Sequence, residues 1–334
     1  MNYFIHLEPL DRRYTAQWAR WIPDACTDLA IPHKHIWWEK LTDSIETWDV
    51  LDVYWTHHWK FSQLMQLNEM LRDWLIKDWD TLWFADLWFP WIEMLAYIRS
   101  MTGIKFKITW VLHAGTWDKM DFTYRNWMNY WAKGFEKTVL EIADEIYLWS
   151  EFHKELIVKD VMNTSLISPE KLKEIANKMK VTGLFFEAEE IRDMVWPNEL
   201  VKDENLVVFP HRLAPEKAPD KFDALAKEFP GKVFVKTIEK TKTKQEYISL
   251  AAGAKYSVSF QGQETFGYST LEMLALWVIP LVYDGMSYQE TVPKEYRWKT
   301  FAELKEMLSK GVKPVAVDLS KYQTKEVLKK MLWK

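Results

Sequence analysis

Gln263-Glu-Thr-Phe-Gly-Tyr-Ser-Thr-Leu-Glu272, "QETFGYSTLE", runs directly into Met273–Gly285, "MLALWVIPLVYDG". Tyr256–Phe260 before it is a short apolar run with strand character. Ser269–Leu276 has helical character, and Pro280–Tyr283 is a second apolar run. Strand, loop, helix, strand is the βαβ unit, and its apolar strands are those of a parallel sheet covered on both faces. Gly267 lets the backbone come close to a ligand, and the free N–H groups of the first helical turn favour an anion. Glu264 and Glu272 stand about two turns apart, so both carboxylates can reach one elongated ligand from different heights.

The same alternation extends outward on both sides. Upstream of the quoted stretch lie strand Leu206–Phe209, helix Asp220–Glu228, strand Val233–Lys236 and helix Lys244–Ala251; a terminal helix at about Lys325–Trp333 follows it. The first half reads as strand Tyr3–Leu7, helix Asp11–Arg20, strand Val50–Tyr54, helix Gln63–Arg72 and strand Thr81–Ala85. It continues with strand Lys107–Leu112, a long helix over about Thr123–Ala143 and strand Glu145–Leu148. Between the halves, "LISPEKLKEIANKM" has a Ser-Pro-Glu helix start, and an irregular acidic stretch then runs to Asn205. The fold class is therefore α/β, with two doubly wound, Rossmann-like parallel-sheet domains expected to face a cleft at the carboxyl ends of their strands. The expected division is 1–180 for the first domain, 181–317 for the second, and 318–334 for a C-terminal helical segment packing back on the first.

At 334 residues the chain is long enough for two domains, and a net charge of −4 does not call for nucleic acid or an anionic membrane as a partner. The single cysteine, Cys26, excludes an internal disulfide, and no stretch has the apolar length of a membrane span. "MNYFIHLEPLDRR" lacks the cationic lead and apolar run of a secretory signal. A cytoplasmic protein without integral membrane association is the expectation.

The chain has 21 Trp but only 10 Gly, where ordinary usage of about 7% would give roughly 23 glycines. Several tryptophans stand where glycine chemistry is wanted. Asp73-Trp74 and Asp78-Trp79 read like Asp-Gly helix-end and turn pairs, and Trp277 falls where a helix should stop. Either many of these positions, Trp74, Trp79 and Trp277 first, are glycine in the working protein, or the chain has a genuinely Trp-rich surface.

Cations follow the first strand of the second half, in "FPHRLAPEKAPDKFDAL". Arg212 offers a bidentate fork and Lys217 a point charge, which together suit a diphosphate. A solvated loop of ordinary surface charge is the plainer reading of the two, as a helix-dipole partner is for Glu264 and an exposed helix residue is for Glu272.

"RLAPEK", the later Glu-x7-Glu with Phe-Gly-Tyr inside it, and "LEMLALWVIP" together resemble the donor-binding half of retaining GT-B glycosyltransferases. The type is the "group 1" family that includes glycogen and sucrose synthases. The likeness covers about Asn205–Pro293 and is weaker before it. Where the family has glycine at the end of this helix, the chain has Trp277. The resemblance implies that Arg212 and Lys217 hold the nucleotide diphosphate and that Glu272 binds the ribose. It further implies that Glu264, with Thr265 and the backbone at Phe266, Gly267 and Tyr268, holds the donor sugar and phosphate. "ITWVLHAGTWD" resembles the family strand that ends in a histidine beside the reacting sugar, so His113 would face the anomeric centre; a satisfied buried histidine is the alternative. "YLWSEFHKELI" resembles the family's strand-Ser-x-Phe segment. The Gly-rich turn usual after the first strand is replaced by "HLEPLDRRYTAQW", where Arg12 and Arg13 can serve an anionic acceptor.

Other signals carry less. Asp78-Trp79-Asp80 spells the metal-chelating DxD pattern of the other glycosyltransferase fold, but it precedes its strand and reads as a turn. His57-His58 and His33-x-His35 are too short to specify zinc. No Walker loop, nucleophile elbow or Cys-x-x-Cys is present. "LVYDGMSYQETVPKEYRW" resembles, with Gln289 in place of a proline, the Ser-Tyr-Pro-Glu region of enzymes that mannosylate queuosine in tRNA.

The expected protein is thus a metal-independent, retaining glycosyltransferase with a nucleotide-sugar donor as substrate and no other cofactor. Its acceptor is open among glycan, lipid and modified nucleic acid. A GT-B sugar-nucleotide epimerase and a non-catalytic nucleotide-sugar-binding protein are the alternatives.

Overall fold

The structure is a computed structural model that describes all residues except 11–12, 38–52, 90–91, 114, 163–167, 196–200, 261 and 334. The chain divides into two compact units. One runs to Leu184 and takes the chain back from Val327 onward, and the other spans Phe185–Glu326.

Six strands form the sheet of the first unit: β1 (Asn2–Ile5), β2 (His33–Ile36), β3 (Thr81–Phe84), β4 (Lys107–Val111), β5 (Glu145–Leu148) and β6 (Met179–Val181). They lie in the order β2-β1-β3-β4-β5-β6, every pair parallel. The central strands β1, β3, β4 and β5 bury nearly every side chain, as strands covered on both faces must. Ile5, Phe84, Ile108, Trp110, Ile146 and Leu148 make one continuous core with Leu67 and Met70 of the helix Val53–Arg72 and Val139 and Leu140 of the helix Asn129–Ile142. Each such side chain contributes roughly 1.5–3 kcal/mol by leaving water.

The second unit holds β7 (Asp203–Phe209), β8 (Val233–Lys236), β9 (Ala254–Val258), β10 (Ile279–Tyr283) and β11 (Arg297–Trp298). Their order is β11-β10-β9-β7-β8, again all parallel. The chain winds from β7 outward to β8 and then back past β7 to β9, so the winding reverses between β7 and β9. That is the topological switch point, where open α/β sheets bind ligands beyond the carboxyl ends of the strands. The corresponding reversal in the first unit lies between β1 and β3. Helix starts are set by local chemistry. Thr243 and Thr300 each form a capping box with the Glu three residues on, and the Ser168 hydroxyl accepts from Lys171 N at 3.2 Å ahead of Pro169.

Several expected elements differ. The strand expected at Val50–Tyr54 lies outside the described residues over 50–52, and Val53–Tyr54 instead open the helix Val53–Arg72. The helix expected at Asp11–Arg20 runs Tyr14–Asp28, with Asp11 and Arg12 outside the described residues. The long helix expected over Thr123–Ala143 is two, Phe122–Arg125 and Asn129–Ile142, broken at Trp127 with φ 59°. The polar strand β2 and the short edge strands β6 and β11 lacked the apolar runs that mark the others. Among the described residues no helix is long and apolar enough to cross a membrane.

Candidate functional site

The switch point of the second unit gathers most of the residues read from the sequence. β7 ends at Phe209, and the chain passes through His211 and Arg212 into the short helical turn Pro215–Lys217. Lys217 Nζ lies 3.2 Å from Glu264 Oε2, which joins the loop after β7 to the loop after β9. Arg212 Nη2 lies 3.0 Å from Glu216 Oε1 and remains about one-third exposed. Thr265 and Phe266 complete the turn after Glu264. Gly267 caps the helix Tyr268–Ala275 with φ 87°, a left-handed conformation open to glycine at little cost. A Cβ there would stand 3.1 Å from Cε1 of Tyr288, so space as well as φ requires glycine.

The turn is held from below. Phe266 is fully buried against Tyr268 and Tyr322, and the Tyr268 hydroxyl donates to the Phe185 carbonyl. Ser287 donates its hydroxyl to the Glu264 carbonyl at 2.9 Å. The result is a cation, a carboxylate and a helix N-terminus fixed at one sheet end, an arrangement able to hold a negatively charged, hydroxyl-bearing ligand.

Glu272 faces other partners. It is 3% exposed, with Oε1 bound to Lys244 and Oε2 accepting from the Tyr247 hydroxyl at 2.9 Å. Lys244 and Tyr247 come from the helix Lys244–Ala252, which sequence reading placed but did not connect to the site. Burial, and then the Glu272 charge, push the Tyr247 phenol well above its usual value, so it remains a donor. Glu272 is thus not an exposed helix residue, and its carboxylate is held by Lys244 and Tyr247.

His211 is a further residue that sequence reading missed. It is buried, with Nε2 2.6 Å from Ser259 Oγ and Nδ1 3.1 Å from Ser269 Oγ, so one imidazole ties the ends of β7 and β9 to the first turn of the helix Tyr268–Ala275. Burial, reinforced by the nearby Lys217 and Arg212 charges, holds it neutral. The only sequence signal was its place immediately before Arg212.

In the first unit His113 stands just past β4. Tyr14 OH lies 2.8 Å from its Nδ1, and Trp18 and Trp149 pack on the ring with centroids at 5.4 and 4.8 Å. Burial lowers its pKa to about 4, against the opposing pull of Asp86 and the Ala85 carbonyl. Asp86 in turn is bound by Lys60 Nζ at 2.6 Å. Burial alone would raise the Asp86 carboxyl, but Lys60 leads the effects that leave it lowered. Tyr14, Lys60 and Asp86 were not singled out in the sequence. Arg13 is described next to this region, and Arg12 lies outside the described residues.

The aspartates of the DxD pattern shape a turn. Asp78 Oδ1 accepts from Lys105 N at 2.8 Å and Asp80 Oδ2 from Lys77 N at 2.9 Å. Among the described residues no group of three or more His, Cys, Asp or Glu side chains is arranged to hold a metal ion.

No protein-family model matches the sequence, and no curated protein matches it. Solved structures do match over the whole chain. A sucrose-phosphate synthase from Thermosynechococcus elongatus aligns with 98% of this chain and 92% of its own, at TM-score 0.61 and 12% identity. The catalytic domain of starch synthase IV from Arabidopsis thaliana, bound to ADP and acarbose, aligns with 100% of this chain and 95% of its own, at TM-score 0.59 and 10% identity. A UDP-forming α,α-trehalose-phosphate synthase from Burkholderia vietnamiensis aligns with 99% and 94%, at TM-score 0.57 and 11% identity. At these identities the likeness is one of fold: the chain has the two parallel-sheet α/β domains of GT-B glycosyltransferases.

Proposed function

We propose that the chain is a glycosyltransferase that moves a sugar from a nucleotide-diphosphate sugar to an acceptor with retention of configuration. The observation that carries this reading is the Lys217–Glu264 pair beside the Gly267 helix start, at the switch point of a GT-B fold. Arg212 and Lys217 are assigned to the diphosphate. Glu264, Thr265 and the backbone of Phe266, Gly267 and Tyr268 are assigned to the donor sugar and its phosphate, and Glu272 to the ribose. Positive charge fixed where negative charge develops on the leaving diphosphate is usually the largest single contribution to catalysis. Two side-chain cations and the helix N–H groups are assigned to supply that charge, which supports reading the reaction as independent of divalent metal. In retention of this kind the acceptor hydroxyl forms its bond to the anomeric carbon on the face from which the diphosphate departs, and its proton passes to the departing phosphate oxygen. In the first unit His113, held neutral, is assigned to the reacting sugar.

A thermal-shift screen of nucleotide sugars tests the donor assignment, because a ligand far above its dissociation constant adds a few kcal/mol to stability. A labelled form of the stabilising donor, incubated with extracted glycans, lipids and tRNA in the presence and absence of a chelator, then reads transfer. Label in one acceptor fraction, unaffected by chelation, supports the full reading. Conversion of the donor without acceptor supports an epimerase instead. Absence of any nucleotide-sugar shift sinks the donor site.

A further inference from the structure

Seven non-glycine residues among those described have positive φ, and four of them are tryptophan: Trp74 (55°), Trp79 (71°), Trp127 (59°) and Trp277 (55°). Tryptophan makes up only 21 of the 334 residues, so it is concentrated in the one backbone region that side chains with a Cβ avoid. Trp74, Trp79 and Trp277 are the positions where the sequence already wanted glycine, and the structure adds Trp127.

The hydrogen bonding sharpens this. Trp74 N donates to Leu71 O at 3.2 Å while Leu75 N donates to Met70 O at 2.9 Å. Trp127 N donates to Tyr124 O at 3.1 Å and Met128 N to Thr123 O at 3.0 Å. Trp277 N donates to Leu274 O at 3.1 Å and Val278 N to Met273 O at 2.9 Å. Each set is the paired 5→2 and 6→1 pattern of a Schellman helix end, and in each the tryptophan fills the left-handed position that is usually glycine. Trp79 fills the left-handed position of the turn built by Asp78 and Asp80.

The indoles contribute little where they stand. The four residues are 67%, 70%, 81% and 59% exposed in chain order. Lys105 lies 5.9 Å from the Trp79 ring and Arg192 4.8 Å from that of Trp277, but such contacts at exposed rings are weak. Arg192 is in any case anchored by donating Nε–H to the Ala275 carbonyl at 2.9 Å. Neither packing nor pairing explains an indole at all four sites.

We propose that the working protein carries glycine at positions 74, 79, 127 and 277, its source reading as glycine a codon that another translation table gives as tryptophan. At position 277 this gives an unstrained end to the helix that Gly267 caps and whose buried face bears Glu272. The gene tests it first: the four positions are expected to share UGA, and UGG at them overturns the proposal. Peptide sequencing of the protein purified from its source is then expected to find glycine at the four positions, and tryptophan there overturns it. A third measurement checks the backbone argument on the full recombinant chain. The variant with all four tryptophans replaced by glycine is expected to unfold at higher urea than the chain with tryptophan, whereas Trp131→Gly, inside the helix Asn129–Ile142, lowers the midpoint. A four-glycine variant that is no more resistant to urea sinks the argument from strain.

Discussion

Lys217 Nζ and Glu264 Oε2 lie 3.2 Å apart although 47 residues separate them in the chain, because the loops after β7 and β9 meet where the winding of the sheet reverses. On the proposed function, the lysine would supply a fixed positive charge to the diphosphate, and the glutamate would both orient it and accept from a sugar hydroxyl. Lys217→Ala and Arg212→Ala are each expected to lower kcat/KM by about 100-fold or more with the nucleotide sugar found in the screen. The Arg212 side of its pair is about one-third exposed, so Arg212→Ala is expected to cost at most about 1 kcal/mol of stability, whereas the more buried Lys217–Glu264 pair makes Lys217→Ala cost roughly 1.5–3 kcal/mol. Arg212→Lys keeps the charge and loses the fork, and is expected to fall between Arg212→Ala and the parent. Steady-state kinetics alongside urea unfolding separates these outcomes, and near-parental activity in both alanine variants would refute the assignment.

Glu272 gives a different balance, since it is buried and both its oxygens are engaged inside the protein. Lys244→Ala strands a buried carboxylate without its cation, which is expected to cost roughly 3–5 kcal/mol. Tyr247→Phe removes one hydrogen bond to the same carboxylate and is expected to cost about 1.5–3 kcal/mol. Urea midpoints in the order parent, Tyr247→Phe, Lys244→Ala are the check. Equal midpoints for all three would mean that Glu272 is not held as the structure shows.

How far the sequence carried is clearest at these same residues. Apolar runs such as Leu206–Phe209 and Lys107–Leu112 mark strands buried on both faces, and the cation loop and glycine turn after two of them are contiguous in the chain. Local pattern therefore reached Arg212, Lys217, Glu264 and Gly267. It did not reach Lys244 or Tyr247, because their contact with Glu272 spans 28 and 25 residues and depends on how two helices pack. β2, "HKHI", was missed because an edge strand that is only partly buried has no need of an apolar run. The helix Phe301–Lys310 is not among the expected elements, although Thr300 and Glu303 spell a capping box at its start.

Buried histidines set the response to acid. Burial lowers His113 and His35 to about 4 and His153 to about 3, with His113 adding to the effect on His153. Above their ordinary value of about 6.5 both folded and unfolded chains carry them neutral, and they give stability no slope with pH. Below that value the unfolded chain takes up protons that the folded chain refuses, so stability falls as pH falls and levels off only below the folded values. Neither ring nitrogen of His153 has a hydrogen-bond partner among the described residues, so His153→Phe removes a titrating group without stranding a donor. The variant is expected to lose less stability than the parent between pH 6.5 and 5, by about 1.4 kcal/mol per pH unit at the limit of full protonation of the unfolded group. Urea unfolding at several pH values reads the two slopes, and parallel slopes would show that His153 titrates alike in both states.

Two glycines predict opposite signs for one substitution. Gly134 lies inside the helix Asn129–Ile142, and a Cβ built on it meets nothing within 4 Å. Gly134→Ala is expected to stabilise by about 0.5–1 kcal/mol, because alanine gives up less backbone freedom on folding. Gly267 has φ +87°, and its Cβ would press on Tyr288 at 3.1 Å, a ring that is itself fully buried and cannot easily yield. Gly267→Ala is expected to destabilise by roughly 1–2 kcal/mol. Because the same turn is assigned to the donor phosphate, that variant is also expected to raise KM for the donor, while Gly134→Ala leaves it unchanged. Paired unfolding and kinetic measurements on the two variants decide the point: if Gly267→Ala is neutral in both, the turn neither needs its left-handed glycine nor contacts the donor.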